Sequence, residues 1–112
     1  MHNTEIIKEL KALLEDLCAS KYGSIREGIR HSRIDPADFR RVLRDYGGTL
    51  TMPPDQAFEE IELQKIAGKE IYGLDFDLWI DGEQSDLTLI MDYAFDGNGK
   101  VSEIVVNDLE VM

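Results

Sequence analysis

The sequence contains little cysteine, proline or tryptophan, and it has no long apolar run. Its 112 residues include one cysteine (Cys18), three prolines and one tryptophan (Trp79). A lone cysteine excludes an internal disulfide. No apolar stretch approaches the ~20 residues of a membrane helix, and the N-terminus MHNTEIIKEL lacks the basic and apolar regions of a signal peptide. These absences favour a cytoplasmic protein that does not contact the membrane.

The motifs of catalysis and cofactor binding are also missing from the sequence. It has no Cys/His cluster for zinc and no Gly-rich phosphate loop after a predicted strand. The segment DGNGK at 96–100 begins like a calcium loop. However, Lys100 and Asn107 stand where that loop requires oxygen ligands, and this favours a plain turn. Cys18 and His31 lack partners in a catalytic motif. The sequence therefore predicts no enzyme activity, no cofactor and no metal site.

Basic residues are scarce in the second half of the chain. Residues 1–46 hold nine basic and eight acidic residues, whereas residues 47–112 hold three basic and fifteen acidic ones, within a net charge of −11. Such a field repels nucleic acid and anionic membranes and attracts a basic partner, although solubility alone also explains an acidic surface. We expect the arginines of the first half to pair with the acidic half: Arg26, Arg30, Arg33, Arg40, Arg41 and Arg44.

The length and the 43% apolar content fit one domain over residues 1–112. Residues 1–48 have helical periodicity, with an apolar stripe from Ile6 to Leu17 and a second helix that begins at Asp35-Pro36 and ends at Gly47-Gly48. Residues 49–56 (TLTMPPDQ) form a connector, because their prolines exclude a helix interior and a central strand.

Residues 57–112 alternate with the period of two that is typical of strands. We predict strands over 57–66, 70–80, 86–95 and 100–111, with turns at 67–69, from Asp81-Gly82 to about Ser85, and at 96–99. In the last strand, Val101, Val105, Leu109 and Val111 would share one side, opposite Ile104 and Val106. The predicted fold is α+β: two or three N-terminal helices on one face of a four-stranded antiparallel meander.

The face of this sheet that points away from the helices is predicted to be acidic and to carry the only tryptophan. Like charges on adjacent strands repel, and tryptophan is frequent at binding hot spots. A solvated face, with Trp79 packed on its neighbours or covered by residues 49–56, is the alternative. The predicted partner-binding residues are Glu60, Glu62, Asp75, Asp77, Trp79, Asp86, Asp92 and Asp108.

Two segments resemble a known family of proteins. Residues 78–89 (LWIDGEQSDLTL) and 104–111 (IVVNDLEV) are similar to small acidic bacterial immunity proteins that are encoded beside polymorphic or contact-dependent growth-inhibition toxins. The similarity covers roughly residues 70–111. It implies binding and neutralisation of a cognate toxin, and many such toxins are nucleases with basic clefts.

Two further hypotheses stay open. The order of helices followed by a sheet is similar to an NTF2-like domain, which implies a ligand-binding protein or an enzyme with a polar pocket between helices and sheet. The predicted inward residues are nearly all apolar, which disfavours this: Tyr72, Leu74, Phe76, Leu87, Leu89 and Met91. Alternatively, an open sheet edge pairs with a second copy, although repulsion between two chains of charge −11 favours a monomer or a weak dimer.

Overall fold

The N-terminal helix presents the predicted apolar stripe to the core. In a computed structural model that describes residues 2–66 and 68–112, and only the backbone of His2, helix α1 runs from His2 to Cys18. Its buried side chains recur at three- and four-residue spacing, as a helix that covers a sheet requires. They are Ile6, Leu10, Leu13, Leu14 and Leu17.

A short 3-10 helix over Tyr22–Arg26 leads to helix α2, Pro36–Tyr46. Pro36 occupies the first turn, as predicted, but the Asp35 carboxylate accepts a hydrogen bond from Arg26 at 3.0 Å and makes no capping bond. The helix ends at Gly47, whose φ of 93° is in the left-handed region that glycine tolerates and whose N–H donates to Leu43. The two predicted N-terminal helices are therefore confirmed, although residues 30–32 between them form a strand.

The sheet is mixed and has six strands, so the predicted four-stranded antiparallel meander was wrong in extent. The strand order is β1-β6-β5-β4-β2, and β3 also pairs with β4. The first strand runs parallel to the last, which makes the sheet mixed, while the other pairs are antiparallel. The strands are β1 Arg30–Ser32, β2 Leu50–Thr51, β3 Gln64–Lys65, β4 Ile71–Ile80, β5 Glu83–Phe95 and β6 Val101–Val111.

The hairpin between β4 and β5 turns at Asp81-Gly82, as predicted, but its turn is shorter than the predicted one, which ran to about Ser85. Asp81 and Gly82 have φ values of 53° and 79°, the two positive angles of a type I′ turn. The strand β5 begins directly after this turn. Its pairing with β4 is irregular between Asp77 and Trp79, which pair with Thr88 and Gln84. The inward residues of the two strands are buried: Leu74, Phe76, Leu78, Leu87, Leu89, Met91, Tyr93 and Phe95.

The side-chain alternation of β6 differs from the prediction because the strand contains two irregularities. Its pairing with β5 shifts between Ala94 and Phe95 and again between Ile90 and Met91. Each shift adds one residue to β6 and exchanges the two faces of the strand. The prediction that Val105 shares a side with Leu109, opposite Ile104 and Val106, was therefore wrong. Instead, Ile104 and Val106 are fully buried.

Residues 49–66 do not form a plain connector followed by a long strand. Leu50–Thr51 is β2, Asp55–Glu59 is the one-turn helix α3, and only Gln64–Lys65 of the predicted strand 57–66 pairs with β4. Phe58 of α3 is buried, and its ring stacks on Phe76 at 5.7 Å. Ala67, the first residue of the predicted turn 67–69, lies outside the described residues.

The helices cover one face of the sheet and leave the other face uncovered by helix. One hydrophobic cluster extends from Ile6 of α1 to Leu109 of β6 and includes residues of all three α-helices. We call the opposite side of the sheet the outer face. Among the described residues, no helix is both long and apolar enough to cross a bilayer.

Candidate protein-binding face

Two rows of side chains cross the outer face, and each begins and ends with an acid. The pairing of β4, β5 and β6 places Asp75, Ile90 and Asp108 in one row. It places Asp77, Thr88 and Glu110 in the next row. We call these the acidic rows. Adjacent strands lie ~4.8 Å apart, so the four carboxylates occupy a patch only three strands wide.

Repulsion within the acidic rows is visible at Glu110. The pKa of its carboxyl is raised, first by a hydrogen bond to Asp108, and then by the charges of Asp108 and Asp75. Protonated Glu110 can donate that bond, and it removes one negative charge from the patch. The group is fully exposed, so solvent screens the effect.

The acids of the outer face have different local partners. Asp77 is half-buried and accepts hydrogen bonds from Thr88 Oγ1 at 2.8 Å and Gln84 Nε2 at 3.0 Å. Asp92 accepts from Asn107 Nδ2 at 3.0 Å, and Arg33 Nε in turn donates to Asn107. Within the described part of the chain, no carboxylate of the acidic rows forms an ion pair with Lys or Arg.

The arginines do not neutralise this face, so the predicted pairing between the halves was largely wrong. Arg26 pairs with Asp35, Arg41 with Asp38, and the partly buried Arg30 with Asp16, all at about 3 Å and all within residues 1–46. Lys100–Glu5 at 3.2 Å and Lys11–Asp55 at 3.6 Å do join the halves, but their acids are not in the acidic rows.

Trp79 is half-buried on the outer face. It pairs with Thr51 of β2 on one side and Gln84 of β5 on the other. The connector therefore extends the sheet beside Trp79 as an edge strand. Trp79 lines a recess of about 240 Å³ with Glu60, Glu62, Asp75 and Asp77, among other residues.

Glu60 and Glu62 reach the outer face from a loop. Both were predicted on a strand, but they are exposed residues between α3 and β3. Glu62 lines the Trp79 recess and also a neighbouring one of about 400 Å³ that contains Asp75, Ile90 and Asp92. Five of the predicted acids thus border two adjoining recesses: Glu60, Glu62, Asp75, Asp77 and Asp92.

Asp86 is separated from this group. It lies in the irregular part of β5, and its carboxylate accepts a hydrogen bond from Tyr46 Oη at 2.6 Å. Tyr46 is the last residue of α2, so Asp86 points toward the helical layer. Asp86 is exposed, but this bond joins it to the end of α2 rather than to the acidic rows. Asp108 lies on the outer face, where it pairs with Ile90 of β5.

Sequence reasoning missed an apolar part of the outer face. Ile66, Ile71, Ala94 and Val105 line a small cavity of about 90 Å³. Val105 faces outward only because of the two irregularities in β6, and no sequence signal marks their positions. His31 Nε2 lies 3.3 Å from Glu103 Oε2, also at this end of the face.

The other candidate groups show no catalytic arrangement. Burial, and next the charge of Glu15, raises the pKa of the Cys18 thiol, so the reactive thiolate is disfavoured. The Asp96 carboxylate accepts from the N–H groups of Asn98 and Lys100, which confirms a plain turn. No group of three or more His, Cys, Asp or Glu side chains within residues 2–66 and 68–112 is placed to hold a metal ion.

The fold and this face define an α+β protein with an open acidic sheet surface. The chain belongs to the family described as "Domain of unknown function (DUF7668)", which matches residues 14–112. No curated protein and no solved structure matches the chain. The family description states no activity.

Proposed function

We propose that the protein is an immunity protein, an antitoxin that binds and neutralises a cognate bacterial toxin through its outer face. The acidic rows carry the proposal. They hold four carboxylates without basic partners in the described structure, although the chain contains 12 Lys and Arg residues. Repulsion among them weakens folding, and a basic surface that docks on the rows would remove it.

The partner that fits this face is a basic protein domain, such as the substrate cleft of a nuclease-type toxin. The net charge of −11 attracts such a domain and repels nucleic acid and anionic membranes. Trp79, at the edge of the rows, would supply apolar contact area, while the exposed acids would accelerate association. The protein would act in the cytoplasm, without catalysis and without a cofactor.

A monomer or weak dimer agrees with the edges of the sheet. The strands β1, β2 and β3 contain two or three residues each, and such short edges are poor templates for pairing with a second copy.

The NTF2-like alternative needs polar groups that line a cavity between the helices and the inner face. The residues predicted to point inward do so, and all except the partly buried Tyr72 are buried and apolar.

The test uses the toxin domain encoded by the neighbouring reading frame, which we expect to be small and basic. Asp75→Lys with Glu110→Lys should lower its association rate roughly tenfold or more and flatten the salt dependence, because steering depends on these charges. Asp77 is left intact, since it holds the buried hydroxyl of Thr88. Trp79→Ala should raise the dissociation rate roughly tenfold or more.

A matched control variant distinguishes the effect of where the charges lie from the effect of the net charge. Glu15→Lys with Glu27→Lys makes the same change in charge at exposed acids of the helical half. Stopped-flow association with this variant should stay close to the native rate. If both double variants slowed association equally, only the overall charge of the protein would matter. If the native protein did not bind the toxin domain, the proposed function would be refuted.

A further inference from the structure

A separate cavity of about 260 Å³ lies where the ends of α1 and α2 meet β2. Apolar side chains line part of it, including Leu17, Leu43 and Ile80. Its volume is slightly below the ~300–1,000 Å³ of sites for drug-sized ligands. It lies in the helical half of the molecule, and none of its lining residues belongs to the acidic rows.

Two arginines border this cavity, and neither is held by a close carboxylate. Arg40 and Arg44 are one turn apart on α2, so their side chains lie on the same face of the helix. Arg40 forms no ion pair among the described residues. Arg44 Nε is 3.7 Å from Asp45 Oδ1, which is longer than a hydrogen bond.

This arrangement is unusual in a chain with 23 acids and 12 Lys and Arg residues. Arg26, Arg30 and Arg41 all have a carboxylate oxygen within 3.0 Å. None of the residues that line the cavity is acidic. The cavity is therefore a positively charged pocket in a strongly negative molecule.

Three hydroxyl groups line the same cavity as the two arginines. Ser20, Tyr22 and Thr49 line the cavity, and in the described part of the chain their hydroxyls make no hydrogen bond. The Asp81 carboxylate, close to Gly48, already accepts the backbone N–H of Thr49 at 2.9 Å. The cavity thus offers two cations and three hydroxyl groups above an apolar lining.

We propose that this cavity binds a small organic anion, with its carboxylate or phosphate group between Arg40 and Arg44 and its apolar body against Leu17 and Leu43. Arginine forms strong charge-assisted hydrogen bonds with both kinds of anion. This site is independent of the toxin-binding proposal, because it shares no residue with the outer face.

Titration of the native protein with benzoate and with phenyl phosphate tests the site and distinguishes the two anions. Amide chemical shifts of Ser20, Thr49 and Leu50 should saturate with at least one of them. The neutral benzyl alcohol should bind roughly tenfold more weakly, because it lacks the charge-assisted bonds. No saturation by about 10 mM of either anion, or equal affinity for benzyl alcohol, would overturn the proposal.

Two double variants complete the test with equal changes of charge. Arg40→Gln with Arg44→Gln should raise the dissociation constant of the bound anion roughly tenfold or more. Arg26→Gln with Arg41→Gln removes two arginines that are paired at the surface and should change it less than about twofold. If both double variants weakened anion binding equally, only the net charge of the protein would affect binding, and the proposed anion site would be refuted.

Discussion

Asp75 and Asp77 of β4 have different roles, although the alternation of the strand places both on the outer face. Asp77 holds the hydroxyl of Thr88, a side chain that is only 2% exposed, so it stabilises the packing of β4 on β5. Asp75 is exposed and forms no hydrogen bond or ion pair among the described residues. Only Asp75 is therefore fully available to a partner. The sequence predicts the side on which both residues lie, but not this division of roles.

Gly48 is the residue with the strictest steric requirement. Its φ is +79°, and a Cβ atom there would lie 2.5 Å from Ile80 Cγ2 and 2.7 Å from Asp81 Oδ2. We expect Gly48→Ala to lower the free energy of unfolding by about 1–3 kcal/mol, because it adds backbone strain to overpacking. Urea denaturation followed by circular dichroism measures this change.

Gly23→Ala is the matched control for Gly48→Ala. No atom lies within 4 Å of its added Cβ, and its φ is not in the left-handed region. We expect its free energy of unfolding to change by less than about 1 kcal/mol. Equal destabilisation of the two variants would contradict the contacts described for Gly48.

Among the elements, β2 determines the surroundings of Trp79. The hydroxyl of Thr51 donates to the carbonyl oxygen of Trp79 at 3.2 Å and accepts the N–H of Gly82 at 3.0 Å. The strand has only two residues, so these side-chain bonds form a large part of its attachment. Trp79 is half-buried beside this strand, and loss of the strand would expose it.

Thr51→Val removes both bonds while it keeps the shape of the side chain. We expect a loss of about 1 kcal/mol in unfolding free energy and a red shift of the fluorescence of Trp79, the only tryptophan. Thr49→Val is the control, since the Thr49 hydroxyl makes no hydrogen bond in the described structure. An unshifted spectrum in Thr51→Val would show that Trp79 does not depend on β2.

The long elements could be predicted from the sequence because their patterns repeat. Ten residues of β4 and thirteen of β5 allow many alternations, and Asp81-Gly82 is a strong turn signal. The strands β1 and β2 were missed because two or three residues contain no period, and β3 is only a two-residue part of the strand predicted over 57–66. Helix α3 falls across the predicted connector and the start of that strand, although Pro54 before Asp55 is a signal for a helix start.

The candidate site was predictable only in part, for the same physical reason. Asp75, Asp77 and Trp79 follow from the regular alternation of β4. Val105 lies between two irregularities in strand pairing, each of which exchanges the two faces of β6, and Asp86 lies in a third that adds two residues to β5. Such irregularities depend on tertiary packing. A single irregular position therefore changes which residues a partner can reach.

At the scale of the whole molecule, the negative charge should oppose folding. We expect the free energy of unfolding in urea to rise between about 20 mM and about 500 mM NaCl, because salt screens the repulsion. The Asp75→Lys, Glu110→Lys variant should respond less than the Glu15→Lys, Glu27→Lys variant, although both have a net charge of −7 instead of −11. Equal responses would mean that the repulsion is not concentrated in the acidic rows.

The parallel pairing of β1 with β6 also has a consequence for the order of events during synthesis. Arg30 pairs with Ile104, so 74 residues must be added after position 30 before position 104 exists. A ribosome that adds roughly 5–20 residues per second needs roughly 4–15 s for this step. Throughout that interval β1 lacks its partner strand, although the N–H of Arg30 can already donate to the carbonyl oxygen of Glu27. The first strand to be translated is therefore among the last to acquire its partner.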